Sequence, residues 1–585
     1  MYVLLSVLSA LLTYFIVEDT NKVTNYYRLT IHFIITSIIN HLIMYLFLGS
    51  IDISHAMATI TSRFMIKYLL MTVFTSILIK IVYLLIRKYI HIKSENYKLM
   101  PKLIKTDITL FILFFIILTC LYFTILYKNV PPEQLFFHLQ VPIEGTSQSL
   151  ITHFLLRTVV PSFIITFLLD FQYRYFYLNK RCVYLGIKNK QITILPFKYY
   201  RIALKVIIIL LTIFMIVFTL RNYDVKGFIT NQFMTSKLIE DEYVNPLNVD
   251  IVFPEKKRNL IYIYLESMET SYNKYTLNLS DLSIQNTNFS NNISDSGFYE
   301  ITGTNWTIAS MVAQTSGLPL KVSLQSSSYN VSNDSFLNGV STLGEILFDN
   351  GYNNYLYMGS DASFAARDLY FTNHGNYEIF DYNSAREAGF ISDDYYVWWG
   401  FEDKKLYEYS KQKLLEISKN DEPFNFTLLT VDSHPNDGYL DETCESVYAE
   451  QYANVISCAD SMVSEFIKWI QEQSFYENTT IVVVGDHLYM LNLNFIEDGV
   501  TRKVYSTIIN SPVLNANSLK REYSALDLFP TTIASLGASI SQNKLGLGVN
   551  LYSDEPTLIE KYGLEYIDEE LRKKSTFYQN LVLYQ

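Results

Sequence analysis

Six apolar runs, all lying before residue 221, dominate this 585-residue chain. They fall near residues 2–17, 29–48, 65–86, 108–127, 151–171 and 202–220. All but the first approach or reach the ~20 residues that a helix needs to cross a hydrocarbon layer. The first run lacks the basic start and small-residue cleavage site of a signal peptide and is followed by five more, so it too reads as a span. From about Arg221 the composition turns mixed and acidic, rich in Asn, Ser, Asp and Tyr. Three parts are expected: an α-helical transmembrane bundle over 1–220 with about six helices, a linker over 221–257, and a globular domain over 258–585.

Lys and Arg in the short loops set the orientation. Between runs three and four stand Arg87, Lys88, Lys93, Lys98, Lys102 and Lys105; between runs five and six stand Arg174, Lys180, Arg181, Lys188, Lys190, Lys198 and Arg201, with no acid among them. Both loops are expected on the cytoplasmic side, so the chain emerges outside after run six and the globular domain is extracytoplasmic. Four cysteines agree with this: Cys120 and Cys182 lie in the membrane part, while Cys444 and Cys458 lie outside, where a disulfide can persist. The net charge of −11 argues against a nucleic-acid partner. Arg157, inside run five, is an intramembrane charge that snorkelling or helix packing explains.

In the outer domain, strand-like runs alternate with helical ones: "LIYIYL", "TIASMVAQ", "YLYM", "KLYEYSKQKLLEIS", "FTLLTV", "SMVSEFIKWIQEQ", "TIVVVGD" and "YSALDLFPTTIASLG". This spacing suggests a mostly parallel sheet with helices on both faces. Sites in such sheets collect at the carboxyl ends of strands. Two ends carry charge: "IYIYL" runs into Glu266, and "TIVVVGDH" into Asp486 and His487. Two carboxylates and an imidazole suit a divalent cation. In "GTNWTIASMVAQTSGLP", Thr304 precedes an expected helix over 307–314, where amide donors and the dipole favour an anion. Thr304 or Thr307 could equally be a plain helix cap.

These stretches, in this order and after six spans, resemble the lipoteichoic acid synthase and phosphoglycerol transferase branch of the alkaline phosphatase–sulfatase superfamily. "NLIYIYLES" resembles its first metal-binding strand, "GTNWTIASMVAQTSGLP" its nucleophile segment, "LLTVDSHPNDG" its substrate-histidine segment and "VVVGDH" its closing metal pair. The CxPxR-type signature of sulfatases proper is absent. The resemblance implies an alkaline phosphatase/sulfatase-like α/β fold and a metal shell of Glu266, Thr304, Asp486 and His487, with Thr304 as nucleophile and Thr302 or Thr307 as its alternatives. It also implies one divalent ion, manganese ahead of zinc or magnesium. On the substrate side it implies Arg367, His434 and Phe364, with Asp361 and Trp399 as weaker suggestions.

The activity so implied is transfer of glycerol phosphate from phosphatidylglycerol, in the lipid bilayer, to a cell-envelope glycan or polyglycerol-phosphate acceptor. It runs through a phospho-threonine intermediate, with a protonated His434 helping diacylglycerol leave. Phosphoethanolamine transfer by the same fold is the alternative chemistry, and a membrane transporter with an accessory outer domain is the alternative class.

Overall fold

The computed structural model describes, in the N-terminal part, residues 90–93, 105–126, 148–172, 182–187 and 190–195 with scattered helical positions between 73 and 231. It describes 233–583 apart from 291–295, 322–334, 436, 491–494, 497–498 and 514–519. The first two apolar runs lie outside the described residues.

Two compact units emerge, residues 1–111 with 163–213, and 112–162 with 214–585. Run four coincides with a helix over Lys105–Leu126. Run five coincides with a helical stretch from Gln148 to Gln172 that carries one π-turn, Leu155–Val159, holding an exposed Arg157. Among the described residues no helix is long and apolar enough to cross a membrane. The described helical positions nevertheless turn large apolar side chains outward, Phe163 being 66% and Phe74 64% exposed. A feature that periodicity did not suggest joins the two basic loops: Ile90–Lys93 (β1), Cys182–Ile187 (β2) and Lys190–Leu195 (β3) form an antiparallel sheet in the order β1-β2-β3.

The linker expected over 221–257 is corrected from about Met234 onward. Leu238 and Ile239 are buried in the domain core, Ser236 N–H donates to the Lys574 carbonyl, and Val244 exchanges both backbone hydrogen bonds with Gly546. Ile251–Val252 (β4) pairs with Ser539–Ile540 of the domain. Polar composition concealed this: a few apolar side chains suffice to dock a segment whose backbone pairs at both ends.

The domain is built on a six-stranded sheet. Its strands are Asn259–Leu265 (β5), Asn353–Met358 (β6), Glu378–Phe380 (β7), Phe424–Leu429 (β8), Thr479–Gly485 (β9) and Ser506–Ile509 (β10). The order is β10-β9-β5-β8-β6-β7, parallel except for the antiparallel edge β10. Every residue of β8 and β9 is buried, as expected of strands covered on both faces. Side chains of β5 alternate between two apolar clusters: Leu260, Tyr262 and Tyr264 face the helices Thr307–Ser316 and Leu528–Ser535, while Ile261, Ile263 and Leu265 face Asp403–Ile417 and Gln451–Gln471.

Candidate metal centre and active site

β5 and β9 are neighbours with Leu265 opposite Gly485, so the residues that follow them leave the sheet side by side. Those residues are Glu266 and Asp486. Ser267 turns the β5 chain back with a φ of 52°. Its amide donates to Asp486 Oδ1 at 2.7 Å and its hydroxyl to Glu266 Oε1 at 2.7 Å. The returning chain passes so close to β9 that a Cβ on Gly485 would lie 2.0 Å from the Met268 carbonyl oxygen, which is why a glycine precedes the Asp-His pair.

Glu266, Asp486 and His487, 2%, 0% and 1% exposed, bring their donor atoms within 4.8 Å of one another. His487 Nδ1 donates to the Leu488 carbonyl at 2.8 Å, which turns Nε2 toward the carboxylates. Nε2 lies 3.3 Å from Asp486 Oδ2 and 3.7 Å from Glu266 Oε1. Asp486 Oδ2 is buried without a hydrogen-bond partner. Donors sharing an ion at about 2.0–2.2 Å stand roughly 3.3–3.6 Å apart; the spacing and the orphaned oxygen fit a divalent cation. The electrostatics agree. Burial, with Glu266 adding to it, pushes Asp486 up to about 6. On His487 burial acts downward, but Asp486 and Glu266 outweigh it and raise the imidazole to about 9. A bound divalent cation would take the place of the imidazolium charge and let both carboxylates stay ionised beside a neutral imidazole.

Thr304 is not the hydroxyl that meets this group. Buried at 1% exposure, its Oγ1 donates to the Ile301 carbonyl at 2.8 Å and accepts the Ile301 amide at 3.1 Å, closing a turn that packs on Pro319. Nor does Thr304 cap the helix, whose N-cap position is Trp306. Thr302 is engaged by Asp568 through both its amide and its hydroxyl. Thr307, the first residue of the Thr307–Ser316 helix and half-buried, places Oγ1 3.4 Å from His487 Nε2. The hydroxyl three residues farther along thus stands next to His487 of this group, at the positive end of a helix.

The expected substrate residues form one wall. Arg367 Cζ lies 5.6 Å from the Phe364 ring, Phe364 5.3 Å from Trp399, and Trp399 4.5 Å from His434. Arg367, 5% exposed, spends one Nη2 bond on the Asp361 carbonyl at 2.6 Å, and its Nε is buried without a partner. Burial lowers its pKa to about 10, with Asp361 and Glu266 opposing. Asp361 differs from the expectation of a substrate contact: its carboxylate is occupied by the Ser363 amide and hydroxyl and by Asn383. It shapes the turn that presents Arg367. His434 differs in charge from the expected protonated donor. Burial pushes it down to about 4, and Nδ1 donates to the Pro435 carbonyl at 3.0 Å, leaving Nε2 as a lone pair. Cys444 and Cys458 form a disulfide with Cα atoms 5.7 Å apart, tying the segment after His434 to the Gln451–Gln471 helix.

Sequence reasoning missed several positioning groups. Asp403 accepts the amides of Val431 and Asp432, fixing the loop that carries His434. Glu269 receives Arg502 through Nε at 2.6 Å and Nη2 at 2.5 Å, while Arg502 Nη2 also donates to the Tyr489 carbonyl at 2.9 Å. This clamp joins the loops after β5 and β9. Glu300 accepts the Leu488 amide at 2.9 Å and is pushed up to about 7 by burial. The second acid in "LESMET" was a visible signal for Glu269; the others depend on partners far away in sequence.

The parallel α/β sheet, with a metal-ligand group at its carboxyl edge and a threonine at a facing helix start, lies within residues 258–538, which match the Sulfatase family model. The chain is similar to phosphoglycerol transferase I of Escherichia coli O127:H6, 33% identical over 252 residues, which cover 41% of this chain and 32% of that protein. The same enzyme of Escherichia fergusonii is 32% identical with the same coverage. The chain thus spans about a third of the length of these curated relatives. Among solved structures, the lipoteichoic acid synthase LtaP of Listeria monocytogenes is 19% identical, covering 55% of this chain and 82% of its own, with a TM-score of 0.42. The integral membrane phosphoethanolamine transferase EptA of Neisseria meningitidis is 13% identical over 91% of this chain and 95% of its own, with a TM-score of 0.43.

Proposed function

We propose that this chain is a membrane-anchored phosphotransferase that moves glycerol phosphate from phosphatidylglycerol to an extracytoplasmic glycan or polyglycerol-phosphate acceptor, with Thr307 as nucleophile. The observation that carries it is the Thr307 hydroxyl, 3.4 Å from His487 Nε2 beside Glu266 and Asp486. A divalent ion held by these four residues, manganese in our reading, would supply the positive charge that favours the Thr307 alkoxide and neutralises phosphate oxygens. Similarity to proteins named phosphoglycerol transferase supports the choice of donor. The Cys444–Cys458 disulfide supports an oxidising, extracytoplasmic setting. The pairing of the two basic loops through β1 and β2 supports placing both on one side of the membrane, as the charge rule expects of spans running 65–86 to 202–220.

In the first half-reaction Thr307 Oγ forms a bond to the headgroup phosphorus as the bond to the diacylglycerol oxygen breaks, and that oxygen takes the proton Thr307 gives up. Arg367, with a buried Nε still to be paired, holds a nonbridging phosphate oxygen. Phe364 and Trp399 flank the headgroup. In the second half-reaction neutral His434 accepts the proton of the acceptor hydroxyl at Nε2, the hydroxyl oxygen attacks phosphorus, and Thr307 leaves and recovers a proton. His434 acts as a base, in place of the acid role expected from sequence.

The test is intact-mass and peptide analysis after incubating the full-length protein with phosphatidylglycerol and no acceptor. A glycerol-phosphate adduct on Thr307, with stoichiometric diacylglycerol, is expected. An adduct bearing ethanolamine when phosphatidylethanolamine is offered, and none from phosphatidylglycerol, would assign the alternative chemistry.

A further inference from the structure

Residues 395–402 form a turn that the reaction above uses only at Trp399. Val397 and Gly400 exchange both backbone hydrogen bonds, at 2.7 and 2.9 Å, which closes a two-residue hairpin with Trp398 and Trp399 at its tip. Such tips ordinarily take glycine, asparagine or aspartate, because the first central residue needs a positive φ. Here Trp398 has a φ of 57°, an outlier for a side chain of this bulk. A residue held in this way persists only where its surroundings over-determine it, and ligand clamps are where such residues collect. The surroundings do so. Phe401 N–H donates to the Gly359 carbonyl at 2.9 Å, and a Cβ on Gly400 would lie 2.0 Å from that carbonyl oxygen. At the base of the turn the Tyr395 hydroxyl donates to Glu402 Oε2 at 2.7 Å, and Lys405 Nζ lies 5.0 Å from the Tyr395 ring.

The two indoles have different surroundings. Trp399 is buried against Phe364 and His434. Trp398 is half-buried, and its Nε1–H is covered without a hydrogen-bond partner. Next along the chain, Tyr396 is 45% exposed and stands edge-on to Tyr382, with ring centroids 5.5 Å apart. Tyr382 is fixed to the turn by its hydroxyl, which donates to the Tyr395 carbonyl at 2.9 Å. Arg386 Cζ lies 5.5 Å from the Tyr382 ring, and the Arg386 Nε, like Trp398 Nε1, is covered without a partner.

Aromatic faces beside N–H donors that lack partners suit one acceptor chemistry. A pyranose ring with equatorial substituents offers flat C–H faces to stack on aromatic rings, and hydroxyls at its rim to receive N–H groups. A glycerol-phosphate chain has no such face. Position agrees with chemistry. The acceptor hydroxyl must reach His434 Nε2, and Trp399 packs on the His434 ring at 4.5 Å, so the rest of the acceptor has this turn beside it.

We propose that the Trp398–Trp399 turn, with Tyr396 and Arg386, is the acceptor subsite, and that it takes a pyranose ring of a neutral glycan in preference to a glycerol-phosphate chain. This rests on the transfer reaction proposed above and on the place of His434 in it. The sugar stacks on Tyr396 and Trp398, and its hydroxyls receive Trp398 Nε1–H and the Arg386 guanidinium. Both donors are covered, so pairing them takes a rotamer change of the kind that side chains commonly make on binding.

The experiment compares full-length protein in phosphatidylglycerol vesicles with its Tyr396→Ala, Tyr396→Phe and Trp398→Gly variants. Glycine suits the φ at position 398, so that variant removes the ring without endangering the turn. Cellotetraose, whose β-linked glucose rings are fully equatorial, is the glycan probe, and a synthetic glycerol-phosphate tetramer is the rival. Binding of each is read by saturation-transfer difference NMR, and transfer by the acceptor KM and kcat. Tyr396→Ala and Trp398→Gly should each raise Kd and KM for cellotetraose by roughly two- to tenfold, the worth of one aromatic contact. Diacylglycerol release without acceptor should stay at the wild-type rate, and Tyr396→Phe should bind cellotetraose nearly as wild type does. Failure of the wild type to bind cellotetraose would overturn the proposal, as would equal binding by all the variants. A loss confined to the glycerol-phosphate tetramer would overturn it too, giving the turn to that acceptor. If the wild type releases no diacylglycerol and carries no adduct on Thr307, yet binds cellotetraose with the expected sensitivity to these variants, the transfer reading falls and the sugar site stands.

Discussion

Exchanging the two candidate threonines one at a time separates a hydroxyl that holds the fold from one that reacts. In Thr304→Ala the Ile301 carbonyl keeps the Thr304 amide as donor at 3.0 Å, but the buried Ile301 amide loses the Thr304 hydroxyl as its acceptor at 3.1 Å. Leaving one buried amide unpaired costs about 1–3 kcal/mol. At about 2–4 °C per kcal/mol, the melting temperature should fall by roughly 2–12 °C. Turnover per folded molecule should stay within a few-fold of wild type. In Thr307→Ala only a 3.4 Å contact is lost, and alanine is the better helix former by up to ~0.7 kcal/mol, so melting should be unchanged or slightly higher. Turnover should fall on the order of 10⁴-fold or more, as when other covalent nucleophiles are removed. The assay pairs thermal melting of the full-length protein with diacylglycerol release from phosphatidylglycerol vesicles, and Thr307→Ser should recover part of the rate. The reasoning is refuted if Thr304→Ala melts normally and is dead while Thr307→Ala still turns over.

Arg367→Ala should cost about 1.5–3 kcal/mol in kcat/KM for phosphatidylglycerol, roughly ten- to a hundredfold, with bound metal unchanged by elemental analysis. His487→Ala or Asp486→Asn should lower both metal content and turnover, and full metal occupancy in either variant would remove these residues from the shell. The pH dependence follows from His434, held down to about 4 by burial. Because its folded pKa lies below the ordinary 6.5, its proton binds the unfolded chain better, and stability linked to it is lost as pH falls from about 6.5 through about 4. The limb of the acceptor half-reaction that belongs to His434 should therefore lie near pH 4, and His434→Ala should erase it while sparing diacylglycerol release. Protease added outside should cut between residues 221 and 233, since from Met234 the chain is docked on the domain; a fragment starting near Lys256 would contradict that docking.

Strand ends were the most readable part of the sequence. A buried run such as "LIYIYL" has no reason to end in Glu unless the sheet edge needs one, and "VVVGDH" repeats the signal, so both halves of the metal group were visible. The hydroxyl beside His487 is that of Thr307, three residues after the expected Thr304. Composition shows where a helix begins, at Thr307, but not that the preceding turn folds Thr304 inward onto Ile301. Asp361 was a weaker suggestion that the resemblance carried, and its oxygens are engaged by Ser363 and Asn383, partners that sequence does not show. Ser267 and the Glu269–Arg502 clamp were hidden because their partners are 219 and 233 positions away. The sheet β1–β3 was hidden by the charge of its own loops.

The adjacency of β5 and β9 also has a meaning in time. The two strands that carry the metal ligands touch in the sheet, but Ser267 and Asp486 are separated by 219 positions, with β6, β7 and β8 between them in the chain. A ribosome finishes Glu266 long before it makes Asp486, and no partial chain can assemble the group. If export delivers the domain unfolded, the ion is recruited only where folding is completed. The metal in the site is then decided by what the destination compartment offers, and the cytoplasmic pool has no opportunity to fill it with a different ion.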